Sequence, residues 1–147
     1  MPTPIREAVL AAIAERLKAE LAGVTIFRAF RATLDPRHCP AVVLTGTSMD
    51  ADEGVSFGET QWRIGFAVAG YITATTDLGA DQALSDLHAR VVAALQDHDL
   101  GPGFVQCNLG SAEFEIYSAE ESAKPAGEFN ANFEALAMTP AKSPYAS

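Results

Sequence analysis

The residues best suited to chemistry are three carboxylates in one glycine-bounded stretch. Asp50, Asp52 and Glu53 lie within Gly46 to Glu59, which reads GTSMDADEGVSFGE. Carboxylate oxygens are the ligands that Ca²⁺ prefers, but an EF-hand loop that begins at Asp50 needs a bidentate glutamate at its twelfth position. That position is Gln61. The spacing therefore does not indicate a calcium site, and we expect no bound metal.

A thiol beside an imidazole and a histidine between two aspartates are the other candidate reactive groups. His38 directly precedes Cys39, but adjacent residues of an extended chain point to opposite sides, so this imidazole would not activate the thiol. His98, in Asp97-His98-Asp99, follows a predicted helix, and the helix dipole favours a histidine there. No nucleophile elbow, phosphate loop or metal-ligand spacing occurs. We expect no catalytic residue and no cofactor.

Composition favours one folded domain over residues 1–147 that does not bind DNA specifically. The chain is 48% hydrophobic and 20% charged, which suits a domain with a buried core. A formal net charge of −9 repels phosphates. No stretch of eighteen apolar residues occurs, and the charged N-terminus does not resemble a signal peptide, so we expect the cytoplasm and no membrane contact. Cys39 and Cys107 then favour free thiols over a disulfide.

Charge is unevenly distributed along the chain. Seven of the ten basic residues lie in the first 63 positions, whereas most of the acids follow them. Ordinary solvated surface would explain this; the alternative is a subunit with two unlike faces that meets its neighbour head to tail. On that hypothesis the candidate contact residues are Arg28, Arg31, Arg37, Asp50, Asp52, Glu53, Glu113 and Glu115.

A long strand over Gln61 to Thr75 is the element around which the others are arranged. Its bulky apolar residues recur at every second position, with mostly small residues between them, which is the period of a β-strand. Apolar residues spaced by four predict a helix over Ile5 to Leu21, with Thr3 as its cap and Pro4 at its first position. A second helix is predicted from Asp77 to about Asp97.

The remaining segments are predicted as shorter strands and loops. Runs of β-branched, aromatic or alternating residues predict strands or extended segments over Val24 to Phe30, Ala41 to Thr45, Phe104 to Leu109, Ala112 to Ser118 and Glu128 to Thr139. Residues 46–59, which have no period and contain glycines and acids, are predicted to be a long exposed loop. Residues 140–147 are predicted to fray.

These elements predict an α+β fold. Adjacent strands that do not alternate strictly with helices favour a two-layer sandwich, with a mixed or mostly antiparallel sheet of about four to six strands and two helices on one face.

Several segments in this order resemble the tail terminator proteins of long-tailed phages, the lambda-type minor tail protein U family. The resemblance runs from Ile5 to Thr139. It is carried by the opening pair Ile5-Arg6, VTIFRAF, the Pro-led PAVVLT, LQDHDLG at the end of the second helix, and the closing GEFNANFEALAMTP.

The resemblance implies a small subunit of a phage, prophage or gene-transfer particle. Such proteins form a homo-hexameric ring on the tail tube protein, stop its growth and present a surface to the head-tail connector protein. The expected location is the virion tail, after assembly in the host cytoplasm. An acidic ring would let DNA pass through its pore without specific binding. The alternatives are another tail-completion or head-tail joining adaptor, or a small-molecule-binding α/β domain or enzyme.

Overall fold

A computed structural model describes residues 2–29, 38–56, 58–96, 99–101, 103–117 and 125–146. The elements are α1 (Ile5–Glu20), β1 (Thr25–Arg28), β2 (Ala41–Ser56), β3 (Glu59–Thr73), α2 (Asp77–Leu95), β4 (Phe104–Tyr117) and β5 (Ala126–Pro140). The five described strands form one sheet in the order β1-β2-β3-β5-β4. β1 runs parallel to β2, and the other pairs are antiparallel. This confirms the predicted α+β fold with a mixed sheet.

β3 is a strand, as its period of two predicts, and it lies at the centre of the sheet. It pairs with β2 on one side and with β5 along its whole length on the other. Ile64, Phe66 and Val68 point towards the helices and are fully buried. The Phe66 ring stacks on Phe133 of β5, with the ring centroids 5.3 Å apart. These side chains form the middle of the hydrophobic core.

The two helices cover the bulky face of the sheet. α1 buries Ile5, Val9, Ile13 and Leu17, the apolar residues spaced by four. Its start differs from the prediction, because Pro4 is the N-cap and no side chain caps the helix. α2 begins as predicted: the Thr76 hydroxyl accepts a hydrogen bond of 2.9 Å from the Gly79 amide.

Two arginines tie the helices to each other. The Arg16 Nε of α1 donates to the Ala94 carbonyl near the end of α2, at 3.0 Å. A guanidinium nitrogen of Arg90 in α2 donates to the Ala22 carbonyl just beyond α1, at 2.9 Å. The last carbonyls of a helix have no partner within it, so Arg16 satisfies one at the end of α2, whereas Arg90 binds the turn that follows α1.

The prediction of a loop over residues 46–59 is wrong. β2 continues to Ser56 and β3 begins at Glu59, so these residues form the distal part of a long hairpin. A shift of register between Gly46 and Ser48 changes which residues face the helices, and it breaks the alternation that would have revealed a strand. The distal part of β2 is a strand because its backbone pairs with β3, and this pairing cannot be seen in the sequence of residues 46–59 alone.

The prediction of a frayed end over residues 140–147 is also wrong for the described part, which stops at residue 146. The Ile5 amide donates to the Pro144 carbonyl at 2.7 Å, and the Ala146 amide donates to the Thr3 carbonyl at 2.9 Å. The Lys142 amide donates to the Thr60 hydroxyl at 2.8 Å. The C-terminal segment is held by backbone hydrogen bonds to the start of α1 and by a hydrogen bond to a side-chain hydroxyl of β3.

We predict that Phe66→Ala destabilises the fold by about 3 to 5 kcal/mol, because it removes a fully buried ring and leaves a cavity between sheet and helices. Chemical denaturation measures this change. Leu109→Ala is the matched control: its side chain is 56% exposed, so the expected change is under about 0.5 kcal/mol. A similarly small loss for Phe66→Ala would contradict the assigned core.

We further predict an alternating pattern of amide exchange in the distal part of β2. β1 pairs with β2 only from Ala41 to Leu44, so no described strand lies on the outer side of β2 beyond that point. Amides that bond to β3 should therefore exchange slowly and those that point outward should exchange fast, which amide exchange followed by NMR resolves. Uniformly fast exchange over residues 48–53 would restore the loop interpretation.

Candidate functional site

No described helix or strand packs against the face of the sheet opposite the helices, and we call it the open face. Small residues of β3 occupy its middle, because successive side chains of a strand point to opposite sides. Ala41 and Val43 of β2 lie on this face but are buried. Its residues on β3, β5 and β4 include Arg63, Gly65, Ala67, Ala69, Tyr71, Glu128, Asn130, Asn132, Glu134, Glu113 and Glu115.

Three acidic side chains lie close together at one end of the open face. Glu115 of β4 lies directly opposite Glu128 of β5, and Glu113 lies on the same face. Directly opposite residues have Cβ atoms about 4.5 to 5.5 Å apart, so carboxylates there repel each other. Burial first, and then the Glu128 charge, raise the pKa of the Tyr71 and Tyr117 hydroxyls. This end of the face favours a cation.

The acidic positions 50, 52 and 53 all belong to β2. Asp50 lies opposite Arg63 and Asp52 opposite Gln61, both on the open face. Glu53 pairs with Thr60 in the backbone register, and its side chain lies outside the described part of the structure. Among the described residues no group of three or more histidine, cysteine, aspartate or glutamate side chains could hold a metal ion.

β4 forms one edge of the sheet and exposes large apolar side chains. The described residues include six exposed large hydrophobic side chains, and four of them lie on this strand: Val105, Leu109, Phe114 and Tyr117. Scattered exposed apolar residues are common, but several on one edge strand are typical of a surface that meets another chain.

β4 is one strand where the sequence predicted two short segments. A bulge between Leu109 and Ala112 joins them. Gly110 is required in the bulge, because a Cβ there would lie 2.5 Å from the Asn132 carbonyl oxygen. Beside it is an open cleft of about 290 Å³, lined by Asn108, Leu109, Gly110, Asn132, Phe133 and Glu134.

The predicted basic contact residues are described only in part. Arg28 ends β1 at the opposite edge of the sheet from β4, and its guanidinium makes two hydrogen bonds to the Glu7 carboxylate, at 2.7 and 3.2 Å. This hydrogen bond lowers the pKa of Glu7. Arg28 points to the helix side, since its register partner is the core residue Leu44. Arg31 and Arg37 lie outside the described residues.

The two described histidines contact aromatic rings, and the Cys107 thiol is partly buried. The His38 ring contacts Phe27 at 5.7 Å, and the His88 ring lies 5.3 Å from Phe114 and 5.4 Å from Phe129. Burial raises the pKa of the Cys107 thiol to about 11. Asp97 and His98 lie outside the described part of the chain.

The described helices include none that is long and apolar enough to span a membrane.

Two groups that belong to the candidate surface were not predicted from the sequence. Glu128 was predicted to begin a strand, but its position opposite Glu115 depends on the pairing of β5 with β4. Phe114 was assigned to a strand from its alternation with Glu113 and Glu115, and its exposure follows only from the edge position of β4.

Comparisons with known proteins assign no family. No protein family model matches the sequence, and no curated protein matches it. A chain from the solved virion of a native gene transfer agent particle aligns with 92% of this chain and 96% of its own, at 15% identity and a TM-score of 0.49. A second solved structure aligns with 89% and 92% of the two chains, at 14% identity and a TM-score of 0.41. Similarity of this degree assigns no function.

We predict that Cys107 reacts slowly with iodoacetamide at neutral pH. Only the thiolate reacts, and a pKa of about 11 leaves about one thiol in a thousand ionised at pH 8. The rate measured on a Cys39→Ser variant should therefore still rise between pH 9 and pH 11. When the same variant is unfolded in urea, its reaction rate should stop rising above the ordinary thiol pKa of about 8.5. Full reactivity of the folded variant at pH 8 would contradict the burial of this thiol.

Proposed function

We propose that this protein is a structural subunit of a phage-like tail and that it terminates the tail. Six copies form a ring that caps the tail tube and offers the surface to which the head connector joins. The sequence resemblance from Ile5 to Thr139 supports this assignment, because it follows the order of the elements along the chain.

The observation that carries the proposal is the difference between the two faces of the sheet in the described part of the subunit. Helices cover one face of the sheet, while the open face and the β4 edge expose carboxylates and apolar side chains. A ring subunit needs two different surfaces for its neighbours and a further one for the tube or the connector. The open face and the β4 edge, as described, offer distinct surfaces for such contacts.

The acidic character of the chain suits a conduit for DNA. The net charge of −9 disfavours binding to the phosphate backbone. Exposed carboxylates such as Glu113 and Glu115 would repel DNA if they faced the pore. A terminator ring of this composition would let DNA pass without retaining it.

The Arg28–Glu7 ion pair refines the proposed contact between subunits. Arg28 lies on the helix side of one edge, whereas Glu113 and Glu115 lie on the open face of the other edge. A flat continuation of the sheet from one copy to the next would therefore not bring these charges together. If Arg28 contacts a neighbouring subunit, it does so from the α1 side, next to Glu7.

We predict that particles lacking this protein have tails of uncontrolled length that do not join heads. In complementation, Arg28→Glu should restore function only in part, because it reverses a charge proposed to face the neighbouring subunit. The double variant Glu7→Arg with Arg28→Glu should retain the intramolecular pair but still complement poorly. Tail lengths and head joining are measured by electron microscopy.

Glu7→Gln is the matched control for this experiment. It removes the partially exposed pair, which contributes at most about 1 kcal/mol to stability, but it leaves the cation at Arg28, so it should complement normally. Full complementation by the charge-swapped double variant would show that Arg28 acts only within the subunit. Normal tail length in the absence of the protein, with loss of head joining alone, would favour the adaptor alternative. Normal tails and normal joining would refute both.

A further inference from the structure

The outer edge of β4 is built to accept another strand. β4 pairs with β5 on one side, and no described strand pairs with it on the other. Its backbone N–H and C=O groups on that side therefore have no partner strand among the described residues and can pair with another chain. Between Ala112 and Tyr117 the pairing with β5 is regular, whereas register shifts interrupt it earlier in the strand. This regular part is the half of the edge best suited to extension of the sheet.

The two faces of residues 112–117 differ in chemistry. Phe114 points to the helix side, where it is 46% exposed beside His88. Glu113 and Glu115 point to the open face, and both are exposed. A strand added to this edge would therefore meet carboxylates on one face and an aromatic ring on the other.

The carboxylates at this edge have no cation within the described subunit. The described ion pairs lie elsewhere, on α1 and between α1 and β1. Glu115 instead faces Glu128 of β5, and a like-charged pair in directly opposite positions is unfavourable. A cation supplied from outside would relieve this repulsion.

We propose that residues 112–117 of β4 bind an extended segment of a different protein in which lysine or arginine alternates with apolar residues. The segment extends the sheet by backbone hydrogen bonds. Its cations lie next to Glu113 and Glu115, and its apolar residues lie beside Phe114. This inference does not depend on the proposed tail function, since it follows from the edge and its charges alone.

A second copy of this chain fits the edge less well. Each copy carries a net charge of −9, so two acidic edges repel each other. Of the described strands, β1 has one cation, Arg28, which points to the helix side and binds Glu7. β3 contains Arg63 but is paired on both sides. No described strand of this chain therefore offers alternating cations to β4.

The test uses the full chain, labelled with ¹⁵N, and a blocked nonapeptide in which lysine and valine alternate. We expect chemical-shift changes centred on residues 112–117 and slower exchange of their outward-pointing amides. A peptide of the same composition with its lysines contiguous, and a peptide in which glutamate and valine alternate, should bind at least about fivefold more weakly. Equal binding of the contiguous-lysine peptide would overturn the proposal.

Variants separate this site from simple charge attraction. Glu113→Gln with Glu115→Gln should weaken binding of the alternating lysine peptide by about five- to tenfold at low salt. Asp81→Asn with Asp86→Asn neutralises two exposed carboxylates on α2 and should leave binding unchanged. Equal weakening by the two double variants, or shift changes centred outside β4, would overturn the proposal. So would a concentration-dependent dimer of the chain alone that protects the β4 amides, because the occupant would then be a second copy.

Discussion

The pairing of β3 with β2 on one side and β5 on the other is the constraint on which the rest of the structure depends. β3 places Ile64, Phe66 and Val68 on one face and Gly65, Ala67 and Ala69 on the other. Only the first face offers enough apolar surface to hold helices, because burial of apolar area is the main favourable term in packing. The helices cover that face alone, and the other becomes the open face. The open face therefore exists because β3 places its bulky residues on one side of the sheet and its small residues on the other.

The elements with strong local patterns were predictable from the sequence. α1, α2 and β3 follow from apolar spacing, because each buries one face against the same core. The distal part of β2 was not, since the register shift near Gly46 hides its alternation and its partner lies across a hairpin. The ordered C-terminal segment was missed for a related reason. Its hydrogen bonds reach Thr3 and Ile5, at the other end of the chain. A contact between residues so far apart in sequence leaves no local pattern from which it could be predicted.

The candidate surface was predictable in residue type but not in geometry. The sequence shows that Arg28 and Glu113 belong to oppositely charged parts of the chain, and head-to-tail contact of unlike charges is a reasonable hypothesis from that fact. The faces on which they lie depend on register: Arg28 pairs with a core position and Glu113 with the exposed Asn130. Because a shift of one residue moves a side chain to the other face of a sheet, charge position cannot be obtained from sequence order alone.

The acids at the β4 edge act on self-association and on partner choice through the same electrostatic effect. An exposed edge with apolar side chains such as Leu109 and Phe114 is prone to pair with other copies. Glu113 and Glu115 oppose such pairing, because every copy carries the same charges at its edge. Those charges attract a basic strand instead, so the repulsion that keeps copies apart also specifies the chemistry of the proposed partner. Neutralising them should therefore weaken binding of a basic strand and, at the same time, increase self-association, a pair of effects that general destabilisation of the fold would not produce.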